Sequence, residues 1–420
     1  MDLVDYNVQQ LRQEFPALRR QHSGREAVFF DGPAGTQVPQ RVIDAISSYL
    51  VHCNANGHGM FATSEESDAG LDSAHQAAAD FIGADGNNGA DCIAFGGNMT
   101  TLTLSLARCL SKTWKPGDEI LLSGLEHDAN YTPWYQAAED AGATVKVIDV
   151  DASDCTLKMD DFRSKLSSKT KFVAVGCASN AAGTVNPVAE ICAAAREVGA
   201  LSFLDAVHYA PHDLIDVKKF GCDFLACSAY KFFGPHVGIL WGRRELLESH
   251  RPYKLRPSPE SLPGRWMTGT QNHECIMGTK ACIDYIARLG RMLAGDKELG
   301  RRRSLEVAME AIRRYERGLC DLLLDGLAEN PKIKVWGITN PEDRNRRLPT
   351  VAITHEDYKS KELAAQLGQR GIFVWHGNYY ALPLTERIGV EPDGMVRIGL
   401  VHYNTREEVE YLLAQLNELS

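Results

Sequence analysis

The chain lacks an excess of positive charge. Its 45 Lys and Arg residues are outnumbered by 55 Asp and Glu residues, so the formal net charge is −10. Nucleic acids and anionic membranes are bound by surfaces that carry excess Lys and Arg. The composition therefore argues against both as partners, and small molecules are the expected ones.

The chain also lacks a long apolar run and a basic, apolar leader. No stretch of the sequence approaches the ~20 apolar residues that span a bilayer. Residues 1–5 carry acid rather than the positive charge that opens a secretory signal. We therefore expect a cytoplasmic protein with no membrane partner.

The cysteines lack the spacing of a disulfide framework or of a metal site. There are eleven, none after Cys320, and several lie inside apolar segments, such as Cys92, Cys109 and Cys192. This pattern is typical of buried thiols in a reducing compartment. We predict no metal.

Short apolar runs alternate with helix-like stretches over the first two thirds of the chain. Examples of the runs are Ile93-Ala94-Phe95, Ile120-Leu121-Leu122 and Phe172-Val173-Ala174-Val175, and residues 188–198 are an intervening helix-like stretch. This rhythm favours a parallel sheet covered by helices. Beyond a long amphipathic helix that includes Leu305 and Leu319, four further strand-like runs predict a smaller α/β domain.

Two residues that follow apolar segments carry the first chemical signal. Asp205 closes Leu201-Ser202-Phe203-Leu204-Asp205, and Lys231 follows a similar run in Ser228-Ala229-Tyr230-Lys231. Groups at the ends of parallel strands meet in the crevice where α/β folds bind ligands. A lysine there can form a Schiff base with an aldehyde cofactor, and an aspartate can keep a pyridine nitrogen protonated. Together they suggest pyridoxal phosphate.

Longer motifs carry a family resemblance. They occur along the chain in this order: Glu126-His127-Asp128-Ala129-Asn130, Ser179-Asn180, Leu204-Asp205-Ala206-Val207-His208, Ser228-Ala229-Tyr230-Lys231, Gly269-Thr270-Gln271-Asn272 and Arg397. From about residue 30 to 413 the chain resembles the cysteine desulfurase-like proteins of the class V aminotransferase group. The resemblance implies the fold-type I architecture of pyridoxal-phosphate enzymes, with a mostly parallel seven-stranded sheet. It also implies a large domain at 31–295 and a small domain made of 1–30 and 296–420.

The resemblance implies a role for each matching residue. Gly97, Asn98, Met99 and Ser228 would bind the cofactor phosphate, the first three mainly through amides at a helix start. His127 would stack on the pyridine ring, and His208 would hydrogen-bond its phenolic oxygen. Arg397, assisted by Asn180, would bind the substrate carboxylate. Thr270 would reach the phosphate of a second subunit, which implies a homodimer with composite sites.

The chain departs from the desulfurase pattern at four positions. His208 stands where desulfurases commonly carry Gln, and Tyr230 precedes Lys231 where the family usually has His. Trp375 stands in place of an arginine. Tyr380 stands where the desulfurases carry their nucleophilic cysteine. Thiolate attack from that loop is therefore excluded, and Trp375 and Tyr380 become candidate substrate contacts.

Several reactions stay open. The leading interpretation is a lyase that removes a sulfur or selenium substituent from Cβ of an L-amino acid. An aspartate β-decarboxylase or a decarboxylative aldolase would release carbon dioxide instead and leave an enamine nucleophile. Two blocks, residues 228–236 and 401–405, also resemble a fungal decarboxylative aldolase. An aminotransferase is a further alternative, and a catalytically idle subunit is disfavoured because Lys231, Asp205 and Arg397 are all present.

Overall fold

The computed structural model describes residues 6–22 and 24–419. Residues 1–5, on which the expectation of no leader depends, lie outside the described residues. Within the described ranges, no helix is long and apolar enough to cross a membrane.

The strands and helices alternate along most of the chain. The strands are β1 Gln21–His22, β2 Arg25–Glu26, β3 Val28–Phe29, β4 Ile93–Gly96, β5 Glu119–Ser123, β6 Thr144–Ile148, β7 Val150–Asp151, β8 Thr156–Leu157, β9 Thr170–Gly176, β10 Leu201–Asp205, β11 Phe224–Ser228, β12 Gly238–Gly242, β13 Ile333–Trp336, β14 Thr350–His355, β15 Ile372–Phe373, β16 Trp375–Gly377 and β17 Met395–Gly399. The helices are α1 Val8–Arg12, α2 Gln40–His52, α3 Ala62–Ile82, α4 Met99–Leu110, α5 Thr132–Ala141, α6 Met159–Lys165, α7 Val188–Glu197, α8 Val217–Phe220, α9 Arg244–Ser249, α10 His273–Ala294, α11 Arg301–Ala328, α12 Ser360–Gln369, α13 Leu382–Arg387 and α14 Arg406–Glu418.

A seven-stranded mixed sheet forms the larger part of the molecule. Its strand order is β4-β12-β11-β10-β9-β5-β6. The strands from β11 to β6 run parallel, whereas β12 is antiparallel to both of its neighbours. Every residue of β11 and β12 is buried, as expected for a sheet covered on both faces. The predicted α/β fold with a mostly parallel sheet is confirmed.

A four-stranded antiparallel sheet forms the smaller part, in the order β13-β14-β17-β16. Strand β13 is one of the four strand-like runs predicted beyond the amphipathic helix, and that helix is confirmed as α11. The last helix, α14, begins with a capping box in which Thr405 and Glu408 bond each other's backbone amides.

Two hydrophobic cores share the chain. The larger core includes Leu11, Phe15 and the first half of α11, and the smaller core includes Phe30 and the second half of α11. The short strand β3 pairs with β15 next to the smaller sheet. The larger core therefore takes residues from both sides of the predicted domain boundaries, whereas the residues of the smaller core all lie within 1–30 or 296–420. The boundaries at residues 30 and 295 stay a prediction.

Gly238 fixes how closely helix α4 approaches the large sheet. It lies on β12, where a Cβ atom would come within 2.4 Å of the carbonyl carbon of Asn98, the residue that caps α4. Backbone cannot move aside as a flexible side chain can. The start of α4 is thus held against the sheet by a residue without a side chain.

We predict that Gly238→Ala lowers the free energy of unfolding by about 1–3 kcal/mol and weakens cofactor binding, because the start of α4 must shift. Denaturant unfolding and cofactor titration measure the two effects. The control is Gly318→Ala on α11, since nothing lies within 4 Å of the added methyl group. Equal stability and equal cofactor affinity for Gly238→Ala and the parent protein would contradict this account.

Candidate functional site

A cavity of about 480 Å³ opens at the carboxyl ends of the parallel strands, the edge where α/β sheets bind ligands. Strand β10 ends at Asp205, β11 at Ser228 and β9 at Gly176. Twelve of the residues predicted for the site line this cavity: Asn98, Met99, His127, Asn180, Asp205, His208, Ser228, Tyr230, Lys231, Trp375, Tyr380 and Arg397. The other two, Gly97 and Thr270, line a neighbouring cavity of about 390 Å³.

Lys231 ends a short 3-10 turn that follows β11. Its Nζ donates hydrogen bonds to the carbonyl oxygens of Pro33 and Ala34, the latter at 3.0 Å. The pKa of this amine is lowered to about 7. Burial is the largest cause, Arg397 acts in the same direction, and Asp205 partly opposes the shift. Close to neutral pH, a large fraction of this amine is therefore uncharged and nucleophilic.

Asp205 presents one carboxylate oxygen to the cavity. Its Oδ1 accepts a hydrogen bond from the Val207 amide at 2.8 Å, and its Oδ2 has no such partner within residues 6–22 and 24–419. Burial raises the pKa of this carboxyl to about 6, although the Val207 amide and Lys231 lower it. A protonated ring nitrogen would supply the missing donor.

The start of α4 offers donors for an anion. The Asn98 side chain accepts from the Thr101 amide at 2.9 Å, and Ser228 Oγ accepts from the Met99 amide at 2.9 Å. The Met99 amide, which the resemblance assigned to the phosphate, is therefore engaged by Ser228. Thr100 lines the cavity, and its amide has no partner in the described part of the chain. The sequence analysis did not assign Thr100 to the phosphate. Its position as the second residue of the helix could have indicated this role, because amides in the first turn of a helix lack partners within the helix.

His127 is held as a neutral ring. Its Nδ1 accepts a hydrogen bond from the Ala129 amide at 3.0 Å, which leaves the proton on Nε2. Burial lowers the pKa of this imidazole to about 4, and Lys231 and Arg397 add to the effect. The ring stacks against Tyr380 with centroids 5.5 Å apart.

Arg397 is a buried cation without an anionic partner. It is only 4% exposed, its Nη1 donates to the Asn180 carbonyl oxygen at 2.8 Å, and its Nε has no hydrogen bond. No carboxylate of the described residues forms an ion pair with it, and Asp31 reaches it only through longer-range attraction. Burial lowers the pKa of the guanidinium to about 10, which leaves it charged. Such a group requires an anion from outside the chain.

The loop after β16 closes one side of the cavity. Tyr379 and Tyr380 both adopt the left-handed conformation, with φ of 56° and 59°. Their carbonyl oxygens accept hydrogen bonds from Asn180 Nδ2 at 2.9 Å and from the Asp128 amide at 2.7 Å. The ring of Tyr379, a residue that the sequence analysis missed, lies 4.2 Å from the Arg397 guanidinium. Tyr380 is 70% exposed.

The residues around the cavity fit pyridoxal phosphate. The cavity is lined by Lys231, whose amine is partly uncharged near neutral pH, and by Asp205, which has one carboxylate oxygen without a described partner. The free amide at the start of α4 and the neutral ring of His127 face the same space. Among the described residues that line the cavity, none is a cysteine. Of the described residues, no group of three or more His, Cys, Asp or Glu is arranged to hold a metal ion.

Known proteins with a similar sequence or fold agree with this architecture. Residues 28–412 match the family model described as aminotransferase class V. The chain is 33% identical to the aminotransferase-like protein FGM3 of Gibberella zeae, with 99% of each chain covered. It is 30% identical to a cysteine desulfurase of Synechococcus elongatus, over 99% of this chain but only 64% of that longer protein. It is also similar to the apo structure of a cysteine desulfurase from Thermococcus onnurineus, with a TM-score of 0.87, 27% identity and coverage of 100% and 98% of the two chains.

We predict that borohydride reduction of the reconstituted holoenzyme attaches the cofactor to Lys231, as located by peptide mapping. When pyridoxal phosphate is added to apoenzyme, the rate of attachment should rise through a midpoint near pH 7, because only the uncharged amine attacks the aldehyde. Lys231→Arg should carry no label, and the control Lys218→Arg should label normally. Attachment at Lys218 or Lys219, or a midpoint near ~10 as for an exposed lysine, would be inconsistent with the geometry.

Proposed function

Because the chain belongs to the class V aminotransferase family of pyridoxal-phosphate-dependent enzymes, we propose that it cleaves a substituent from Cβ of an L-amino acid without an enzyme-bound persulfide. The observation that carries this proposal is a buried guanidinium, that of Arg397, which has no anionic partner among the described residues and lies at a cavity lined by Lys231 but by no described cysteine. The buried guanidinium is suited to a substrate carboxylate. A cavity without a thiol lacks the nucleophile that the desulfurases use.

Each residue has a distinct task in this proposal. The bound cofactor supplies an electron sink for the bonding electrons at Cα and Cβ. Lys231 would hold the cofactor, take the substrate α-proton on Nζ and later return a proton. Asp205 would keep the cofactor's ring nitrogen protonated, and His127 would pack against the ring. Arg397, steadied by the Asn180 carbonyl, binds the α-carboxylate in two parallel hydrogen bonds.

The phosphate end of the site is proposed to be completed by a second subunit. Within the chain, Asn98, Thr100 and Ser228 face the main cavity, whereas Gly97 and Thr270 face the neighbouring one. A second copy that inserts its own Thr270 toward the start of α4 would add the hydroxyl that the resemblance implies. We therefore propose a homodimer with composite sites.

The leaving group is proposed to be sulfur or selenium. The similar proteins from Synechococcus elongatus and Thermococcus onnurineus are cysteine desulfurases, which favours cysteine as substrate. Without a thiol in the cavity, sulfur would depart as free sulfide. Besides Lys231, Arg397 is the one Lys or Arg that lines the cavity, so an aspartate β-carboxylate would lack an arginine partner.

A second candidate function is a decarboxylative aldol reaction. It is supported by the rim of the cavity, where Trp375 and Tyr380 are 51% and 70% exposed. Two exposed aromatic faces at the mouth could bind an aldehyde that enters from solvent and is attacked by the enamine. The fungal relative at 33% identity also fits the similarity to a fungal aldolase in the sequence. Transamination is a third candidate, with no residue that favours it.

We predict that Arg397→Ala chiefly raises KM for the amino acid, by about 30-fold to several-thousand-fold, since the loss of one partner of a buried charged pair costs about 2–5 kcal/mol. Steady-state kinetics measure the split between KM and kcat. Arg344→Gln is the control, because Arg344 pairs with Asp325 away from the cavity. If KM is unchanged in Arg397→Ala, Arg397 does not bind the substrate.

We predict that turnover of L-cysteine or L-selenocysteine releases sulfide or selenide together with pyruvate and ammonia, the products of β-elimination, and leaves no persulfide on the protein. Persulfide trapping by alkylation and mass spectrometry checks this, with the products assayed in parallel. A persulfide on Cys53, Cys177 or Cys275 would disprove the proposed route. If these substrates are inert while L-aspartate releases carbon dioxide, and an added aldehyde diverts alanine to a γ-hydroxy amino acid, the second candidate is correct.

A further inference from the structure

His208 follows the turn after Asp205 and lines the cavity. It is 5% exposed. Its Nε2 lies 3.0 Å from Oγ1 of Thr350, which is fully buried on β14 of the smaller sheet. Its Nδ1 has no hydrogen-bond partner within residues 6–22 and 24–419. This atom is not fully buried, so a ligand in the cavity can reach it. Nδ1 is therefore the nitrogen that remains for a ligand.

The environment of Thr350 determines the direction of this hydrogen bond. In the described part of the chain, its hydroxyl has one hydrogen bond, the one to His208. If the hydroxyl accepted that bond, its own proton would be buried without an acceptor, which is costly. If it donates to Nε2, both groups are satisfied. The second arrangement requires the proton of a neutral ring to be on Nδ1.

The ring stays neutral in this environment. Burial lowers the pKa of His208 well below its usual range, and His212, Arg397, Lys231 and His127 each add to the lowering. His212 is the nearest of the other rings, with centroids 5.5 Å apart, and its Nδ1 bonds the carboxylate of Glu316 at 2.8 Å. Double protonation of His208, which would remove the role of Thr350, is thus disfavoured.

We propose that Thr350 is a positioning residue that fixes the Nδ1-protonated tautomer of His208, so that the cavity receives an N–H donor aimed at the phenolic oxygen of the cofactor. This inference depends on the proposed position of the cofactor but not on the substrate or on the leaving group. It gives the smaller sheet a direct influence on the cofactor's electronic state.

An N–H donor stabilises negative charge on the phenolic oxygen. Without the donor, that charge attracts the neighbouring proton of the lysine-linked cofactor more strongly, so the proton is released at higher pH. Thr350→Val, which keeps the shape but removes the hydroxyl, should therefore raise the midpoint of the pH-dependent visible absorbance by about 0.5–1 pH unit. Thr350→Ser, which retains a hydroxyl, should restore the parent midpoint.

The direct test is nitrogen NMR of holoenzyme labelled with ¹⁵N-histidine, with the His208 signals assigned by their loss in His208→Gln. We expect Nδ1 to be protonated in the parent protein and in Thr350→Ser, and this state to be lost in Thr350→Val. The control is Thr354→Val on the same strand, whose hydroxyl bonds Trp336 Nε1 at 3.1 Å, and which should change neither the tautomer nor the absorbance midpoint.

Protonation of His208 on Nε2 in the parent protein would overturn the proposal, even if no Thr350 variant folded. An unchanged tautomer together with an unchanged absorbance midpoint in Thr350→Val would also overturn it. Both readouts are taken without substrate. A failure of the proposed Cβ cleavage is thus distinguishable from a failure of the role of Thr350.

Discussion

The burial of three ionisable groups in one cavity is the constraint on which the rest of the site depends. Lys231, Asp205 and Arg397 all line the cavity. Asp205 acts on the charge of Lys231, whereas Arg397 has no ion-pair partner among the described residues. Burial lowers the pKa of the lysine and raises that of the aspartate. A ligand that brings a phosphate, a ring N–H and a carboxylate would offset this imbalance at three separate points.

Each of the two sheets supplies different residues to the site. The large sheet supplies Asp205, Ser228 and the start of α4, which are fixed by strand ends and by the close contact at Gly238. The smaller sheet supplies Arg397 from β17 and Thr350 from β14. Hydrogen bonds from Asn180 and Asp128 to the loop of Tyr379 and Tyr380 join the two sides. The cavity therefore exists only where the two sheets meet.

The loop of Tyr379 and Tyr380 contacts two of the side chains that line the cavity. Tyr380 stacks on His127, and its neighbour Tyr379 packs against the guanidinium of Arg397. Both tyrosines hold a left-handed backbone conformation that side chains rarely adopt. The loop is thus anchored to the groups that would hold the ring and the carboxylate, an arrangement suited to shaping a pocket rather than to carrying sulfur away.

The sequence by itself determined the α/β class and placed Lys231 and Asp205 at strand ends, because alternating apolar runs specify strands and their ends share one edge. The number of strands in the large sheet was what the family resemblance implied. It also determined the missing thiol. Only the tertiary structure decided that Thr100 rather than Met99 has the free amide, that Tyr379 supports Arg397 and that Thr350 bonds His208. These contacts join residues far apart in the chain, so no local pattern encodes them. Packing of one sheet against the other creates them.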